Sequence, residues 1–254
     1  MADPEYPKRP DVDRNYRGSF AAEDLLKYRV VIGESDLFVL SKQDLKTELT
    51  RLLKFYRRQL KEYIYNHPDF RKTLTPWPDD PEAPEMIRLM IRASNLTGVG
   101  PMAAVAGAIV AMLGNEFDPE TVPELIIENG GDIYLRSLQE RVVGVLAGLN
   151  ISPKIGLLIP PQPKGIGICT SSGKLGPSLS FGTADAVTVI ASDLSLADAA
   201  ATAGANRIRT SADLSKTISF LQNIPGIRGA LAIKDGRIAV WGEVELAPVN
   251  IYHD

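Results

Sequence analysis

Gly165-Ile166-Gly167-Ile168-Cys169-Thr170-Ser171-Ser172-Gly173 sets a thiol and three hydroxyls side by side between glycines. It reads as a glycine-flanked loop whose Oγ atoms and backbone amides bind phosphate or carbonyl groups. Cys169 is the only cysteine in the chain. Such a thiol is either a small buried hydrophobe or a nucleophile, and the residues alone leave both open. Working outward from this stretch, apolar runs at 124–128, 133–135, 141–147, 155–159 and 186–191 read as strands. Residues 228–234 and 237–241 flank Asp235-Gly236 and give the strongest hairpin signal, because Asp-Gly suits a type I′ turn.

The first half of the chain has a different period. Leu45, Leu49, Leu52, Leu53, Tyr56, Leu60, Tyr63 and Ile64 recur at steps of three and four, which predicts one long amphipathic helix. Ser41 and Asp44 before it resemble a capping box with Asp in place of Glu. Lys46, Lys54, Arg57, Arg58 and Lys61 lie on the other face, as a solvated face or as an anion-binding patch. Further helices are predicted over 85–95, 102–113, 196–205 and 212–222, and a hairpin over 28–32 and 36–40. Residues 67–84 hold five prolines and read as a wrapping loop. Helices early and strands late imply an α+β fold with a mixed or antiparallel sheet and packed helices. A flexible arm over 1–19 and a single domain over 20–254 are expected.

The chain has 254 residues, 28 Lys+Arg against 31 Asp+Glu, and two His. One Cys and two His cannot supply the four ligands of a structural zinc site. A net charge of −3 argues against nucleic acid as the partner. The polar start lacks a signal-peptide core, and the apolar stretch 101–113 spans only about 20 Å as a helix. A cytoplasmic protein with no membrane association is therefore expected.

Three further constellations carry chemistry. Gly98-Val99-Gly100-Pro101 leads into an apolar helix, whose amino end would present free amides to an anion or simply form a tight turn. Gly130 and Gly131 in Glu128-Asn129-Gly130-Gly131-Asp132 permit positive φ and close approach to a ligand. Asp198 and Thr202 stand four apart on a predicted helix and point the same way, a plausible oxygen pair for a hard cation. Asp198 as an early-turn residue and Thr202 as packing account for the same spacing.

Taken in order, these segments resemble the ApbE-type flavin transferase superfamily, in particular a short branch that reads much like Gly-Val-Gly-Pro-Met-Ala-Ala-Val-Ala-Gly and Gly-Ile-Cys-Thr-Ser-Ser-Gly. The similarity runs from about residue 20 to residue 247. It implies a T-fold-type α+β domain and a Mg²⁺-dependent protein that binds FAD or FMN. Full family members split FAD and transfer FMN to a threonine of an acceptor protein. The resemblance makes Ala103 (backbone carbonyl), Asp198 and Thr202 metal ligands. It makes Gly130, Gly131, Asp132, Thr170, Ser171 and Gly173 cofactor-binding residues, with Gly98 and Gly100 of the glycine-led helix start beside them, and Asp198 a catalytic residue; Cys169 is the catalytic residue of an alternative, sulfur-relay reading. The expected function is flavin-nucleotide binding, as an FMN transferase or FAD pyrophosphatase, with an acceptor protein and an oligomer among the expected partners.

Two departures stand out. Ala104 occupies the place of the Lys that typically follows the metal-site Ala. No His lies between residues 68 and 252, where the typical family has one downstream of Thr-Ser-Gly. The short branch is linked to sulfur assimilation in anaerobic prokaryotes. The alternative is accordingly a sulfur-relay protein in which Cys169, with a depressed pKa, carries a persulfide. A ligand-binding module without catalysis is the third reading.

Overall fold

The computed structural model describes residue 22 and residues 24–145, 155–173 and 182–249. The arm expected over 1–19 lies outside them. The chain opens with the hairpin β1 (Leu26–Ile32) and β2 (Ser35–Ser41). It continues through α1 (Lys46–Asn66), α2 (Glu85–Thr97), a 3₁₀ turn at Pro101–Ala104 and α3 (Val105–Asn115). Then come β3 (Leu125–Asn129), β4 (Asp132–Ser137), β5 (Arg141–Gly144), β6 (Ile155–Ile159), β7 (Gln162–Ser171) and β8 (Ala186–Ala191). Helices α4 (Leu194–Ala205) and α5 (Leu214–Gln222) precede β9 (Ile227–Lys234), β10 (Arg237–Gly242) and β11 (Glu245–Pro248).

Eight strands form one antiparallel sheet in the order β1-β2-β3-β4-β7-β8-β9-β10, and β11-β6-β5 form a second. The fold is α+β, as expected. Helices cover one face of the large sheet, and the small sheet covers part of the other. The side chains sort accordingly. Ile133, Leu135, Ile166, Ile168 and Leu231 pack with Leu157 and Ile159 of the small sheet. Val187, Val189, Ala230 and Ala232 pack with the Ala-rich α4 and with α5.

The expected stripe on α1 buries Leu49, Leu52, Leu53, Tyr56, Leu60 and Tyr63. The expected capping box does not form. Ser41 Oγ turns back to the Gln43 carbonyl (2.6 Å), and the Lys46 amide takes Asp44 Oδ1 instead (2.8 Å). The Asp-Gly hairpin is as expected, with φ of 50° at Asp235 and 73° at Gly236. No single helix among the described residues is long and apolar enough to cross a membrane.

The main correction concerns the opening stretch. Residues 162–171 form not a loop but the ten-residue strand β7, paired on both sides. Ile166 and Ile168 feed one face and Gly167 and Cys169 the other, a period of two that glycines and hydroxyls disguise. Gly167 is required by α4, since a Cβ there would lie 2.6 Å from Leu194 Cγ. Strand β11 also lay beyond the sequence pattern.

Candidate functional site

Four separate segments meet on the helix-covered face of the sheet. Asp132 opens β4 directly opposite Cys169 of β7. The turn before it, Gly130-Gly131, carries φ of 70° and 106°, which lets β3 return as β4 in two residues. The Gly131 carbonyl accepts the Thr170 amide (3.1 Å), and its own amide donates to Glu128 Oε1 (2.9 Å). The glycine turn and the Thr-Ser-Gly segment are therefore hydrogen-bonded neighbours.

Helix α4 lies across β7 and supplies Asp198. Asp193 caps it, taking the amides of Ser195 (2.9 Å) and Leu196 (3.2 Å). Asp198 reaches across to the amino end of α3, where Oδ2 accepts the Gly107 amide (2.9 Å). A side chain at 107 would collide with the Leu194 carbonyl and approach Asp198 Cβ to 2.8 Å, so only glycine permits this helix contact. Gly107 was not singled out in the sequence; its signal was a glycine in the first turn of an apolar helix. The anion at the amino end of α3 is thus the chain's own carboxylate.

Charge and burial act together here. Burial pushes the Asp198 carboxyl up to about 7, against the opposing amides of Gly107 and Ala106. Burial also raises Asp132 well above the usual carboxylate range, and the nearby Asp198 and Glu128 charges add to it, while the Cys169 thiol opposes it. Cys169 is fully buried, with Sγ 3.6 Å from the Leu194 carbonyl oxygen. Burial raises its pKa strongly, and Asp132 and Asp198 raise it further. The depressed thiol pKa expected from the sequence is therefore reversed: facing two carboxylates rather than cations, Cys169 remains a protonated thiol.

The other expected residues fall into two groups. Ser171 is buried on the same face of β7 as Cys169, and its Oγ has no hydrogen-bond partner. Ala103 lies in the 3₁₀ turn that packs on α4, and Thr202 is buried one helical turn beyond Asp198. Thr170 points to the opposite face of the sheet, where its Oγ1 pairs with Thr188 Oγ1 (2.9 Å). The Gly173 amide donates to the Ala184 carbonyl (3.0 Å). Gly98 ends α2 in the left-handed conformation with φ of 76°. Gly100 accommodates the Thr73 backbone, which a side chain would strike. Both positions thus have packing reasons for glycine. Among the described residues no group of three or more His, Cys, Asp or Glu side chains is arranged to hold a metal.

The family sequence model described as "AbpE bacteria" matches residues 17–222. The chain belongs to that family. It is 40% identical over 193 residues to the UPF0280 protein of Methanosarcina barkeri, covering 76% of each chain. The UPF0280 protein of Methanosphaerula palustris is 44% identical over 189 residues, 74% of this chain and 78% of the relative. Among solved structures, the flavin transferase ApbE from Vibrio cholerae superposes with a TM-score of 0.58 at 12% identity, covering 86% of this chain and 96% of that one. The apo flavinyl transferase ApbE of Pseudomonas stutzeri gives a TM-score of 0.56 at 14% identity, over 86% and 94% of the two chains. The fold of this family member is thus the ApbE fold.

Ala104 is fully buried in the main helical core. A Lys at this position would have to carry its ammonium out of the apolar core to a polar partner.

Proposed function

We propose that this family member binds a flavin nucleotide, FAD or FMN, together with Mg²⁺ where β4, β7, α3 and α4 meet. The observation that carries the reading is the meeting of Asp132 and Asp198, from distant segments, with pKa values raised in a buried place. Two carboxylates that resist ionising together are relieved by a divalent cation, and their hard oxygens suit Mg²⁺. With no larger side-chain cluster among the described residues, the ligands would be Asp198, Thr202, the Ala103 carbonyl and Asp132, completed by water and substrate phosphate, as Mg²⁺ commonly accepts. The cation would supply charge neutralisation at a pyrophosphate.

The chain's own groups have separate tasks. The Gly130-Gly131 turn lets a ligand approach the backbone beside Asp132. Ser171 Oγ, buried without a partner, is free to bond the ligand. Asp198 holds α3 against α4 through the Gly107 amide. The chain offers neither the Lys nor the His of the full transferases, so nucleotide binding or FAD pyrophosphate cleavage is the activity favoured over transfer to a protein acceptor. Sulfur relay through Cys169 is disfavoured, because it needs a thiolate that this environment suppresses.

Incubating the protein with FAD and Mg²⁺ and following FMN and AMP by chromatography tests the activity. Metal-dependent release that Asp198→Ala abolishes supports pyrophosphate cleavage. Tight binding without release leaves a binding protein, and no binding at high micromolar FAD overturns the proposal.

A further inference from the structure

Strand β4 carries a second buried charge that the flavin reading does not use. Asp132, Tyr134 and Arg136 alternate along its helix-facing side, so Arg136 lies about 13 Å along the strand from Asp132. Arg136 is only 2% exposed and ranks among the largest fully buried side chains. Its Nη1 donates to the Phe117 carbonyl (2.9 Å), just beyond the end of α3, and to Tyr134 Oη (3.3 Å). Nε and Nη2 have no hydrogen-bond partner. No carboxylate pairs with Arg136 among the described residues. A buried guanidinium left with two unmet donors and no counter-charge is costly unless something supplies both.

The surroundings are shaped for this arrangement. The Tyr134 ring is flanked by Gly114 of α3 and Gly165 of β7, and a Cβ at either position would come within 2.7 Å of it. The two glycines make room for a ring whose hydroxyl steadies Arg136 on one side only. The side left over is the Nε/Nη2 edge, the geometry that grips two oxygens at once. Elsewhere in the molecule that edge has this use. Arg29 holds Asp36 through Nε to Oδ1 (3.2 Å) and Nη2 to Oδ2 (2.7 Å), and Arg228 holds Glu243 through Nε to Oε1 (3.2 Å) and Nη2 to Oε2 (2.6 Å).

We infer that the Nε/Nη2 edge of Arg136 is a binding site for a small oxyanion that presents two oxygens, of the carboxylate or phosphate class, separate from the Asp132–Asp198 site. The anion neutralises the guanidinium and locks α3 to β4 through the Phe117 carbonyl and Tyr134. A hydrophobic or cationic molecule does not fit this edge.

The test uses the full chain in thermal unfolding at matched ionic strength, with chloride replaced by formate in one arm and by inorganic phosphate in the other. Wild type is expected to show a saturable rise in midpoint of about 2–4 °C in at least one arm. A rise in formate alone marks a carboxylate site, and one in phosphate alone a phosphate site. Arg136→Lys, which keeps the charge but loses the fork, is expected to lose the rise. No rise in either arm, or an equal rise in the variant, overturns the inference. If Arg136→Lys fails to fold, the assigned Arg136 Nε–H resonance of the wild type decides. Its saturable movement with the anion supports the site, and its indifference contradicts it.

Discussion

Two arginines five residues apart, Arg136 and Arg141, are both buried and are treated in opposite ways. Arg141 Nε donates to Ser137 Oγ (3.0 Å), Nη1 to Asp24 Oδ1 (2.8 Å), and Nη2 to Asp24 Oδ2 (2.9 Å) and Glu124 Oε2 (2.8 Å). Arg136 satisfies Nη1 alone. The acid end of β4 is a third case, where burial raises the pKa of both Asp132 and Asp198, and the Asp198 charge raises Asp132 further. The difference separates structure from function. A charge whose partners all come from the chain holds the fold together, while the unbalanced charges are the ones that the two proposed sites use.

The largest effect is expected at the balanced end. Arg141→Met leaves Glu124 buried without its counter-charge, held only by the Leu138 amide, at a cost of about 3–5 kcal/mol in urea unfolding. Arg136→Met in chloride buffer removes an unmet charge and should cost far less than Arg141→Met. Equal losses would erase the distinction. Gly107→Ala forces α3 away from α4, so a loss of about 1–3 kcal/mol is expected by the same measurement. Unchanged stability there would mean that the helix contact holding Asp198 is looser than described.

The acid end also has a pH signature. Asp198 is raised from its ordinary carboxylate value to about 7, so the folded state binds the proton more tightly than the unfolded chain. Its contribution to stability is present below pH about 4 and is lost as pH rises to about 7. In metal-free buffer, Asp198→Asn should flatten that decline, and an identical slope in the variant would contradict the burial of the Asp198 carboxyl. The smallest effect is expected at Thr170→Val, which breaks only the hydroxyl pair with Thr188 on the far face. A loss of about 1 kcal/mol with unchanged flavin binding is the expected result.

Much of this fold was legible in the sequence because its elements are periodic. The stripe of α1 and the Asp-Gly hairpin needed no tertiary information. Strand β7 was not legible, because Gly165 and Gly167 are there to admit Tyr134 and Leu194, contacts that exist only after folding. The same limit shaped the site. Asp132, Ser171 and Asp198 were visible as motif residues, and they converge on one face. Thr170 was placed with them by adjacency, yet strand alternation sends it to the other side. The depressed pKa expected of Cys169 was reversed because burial, and then the carboxylates that folding brings beside it from β4 and α4, raise it. Arg136 gave no signal, since it falls just past the apolar run 133–135 and only folding shows that it is buried.

The central claim is that Asp132 and Asp198 form the cation end of a flavin-nucleotide site. Its most direct test is a fluorescence-quenching titration of FAD with wild type, Asp132→Asn and Asp198→Asn, with and without Mg²⁺. Saturable binding that Mg²⁺ strengthens in wild type, and that each variant weakens at least tenfold, is the predicted result. Binding that ignores both Mg²⁺ and the two substitutions would contradict the claim.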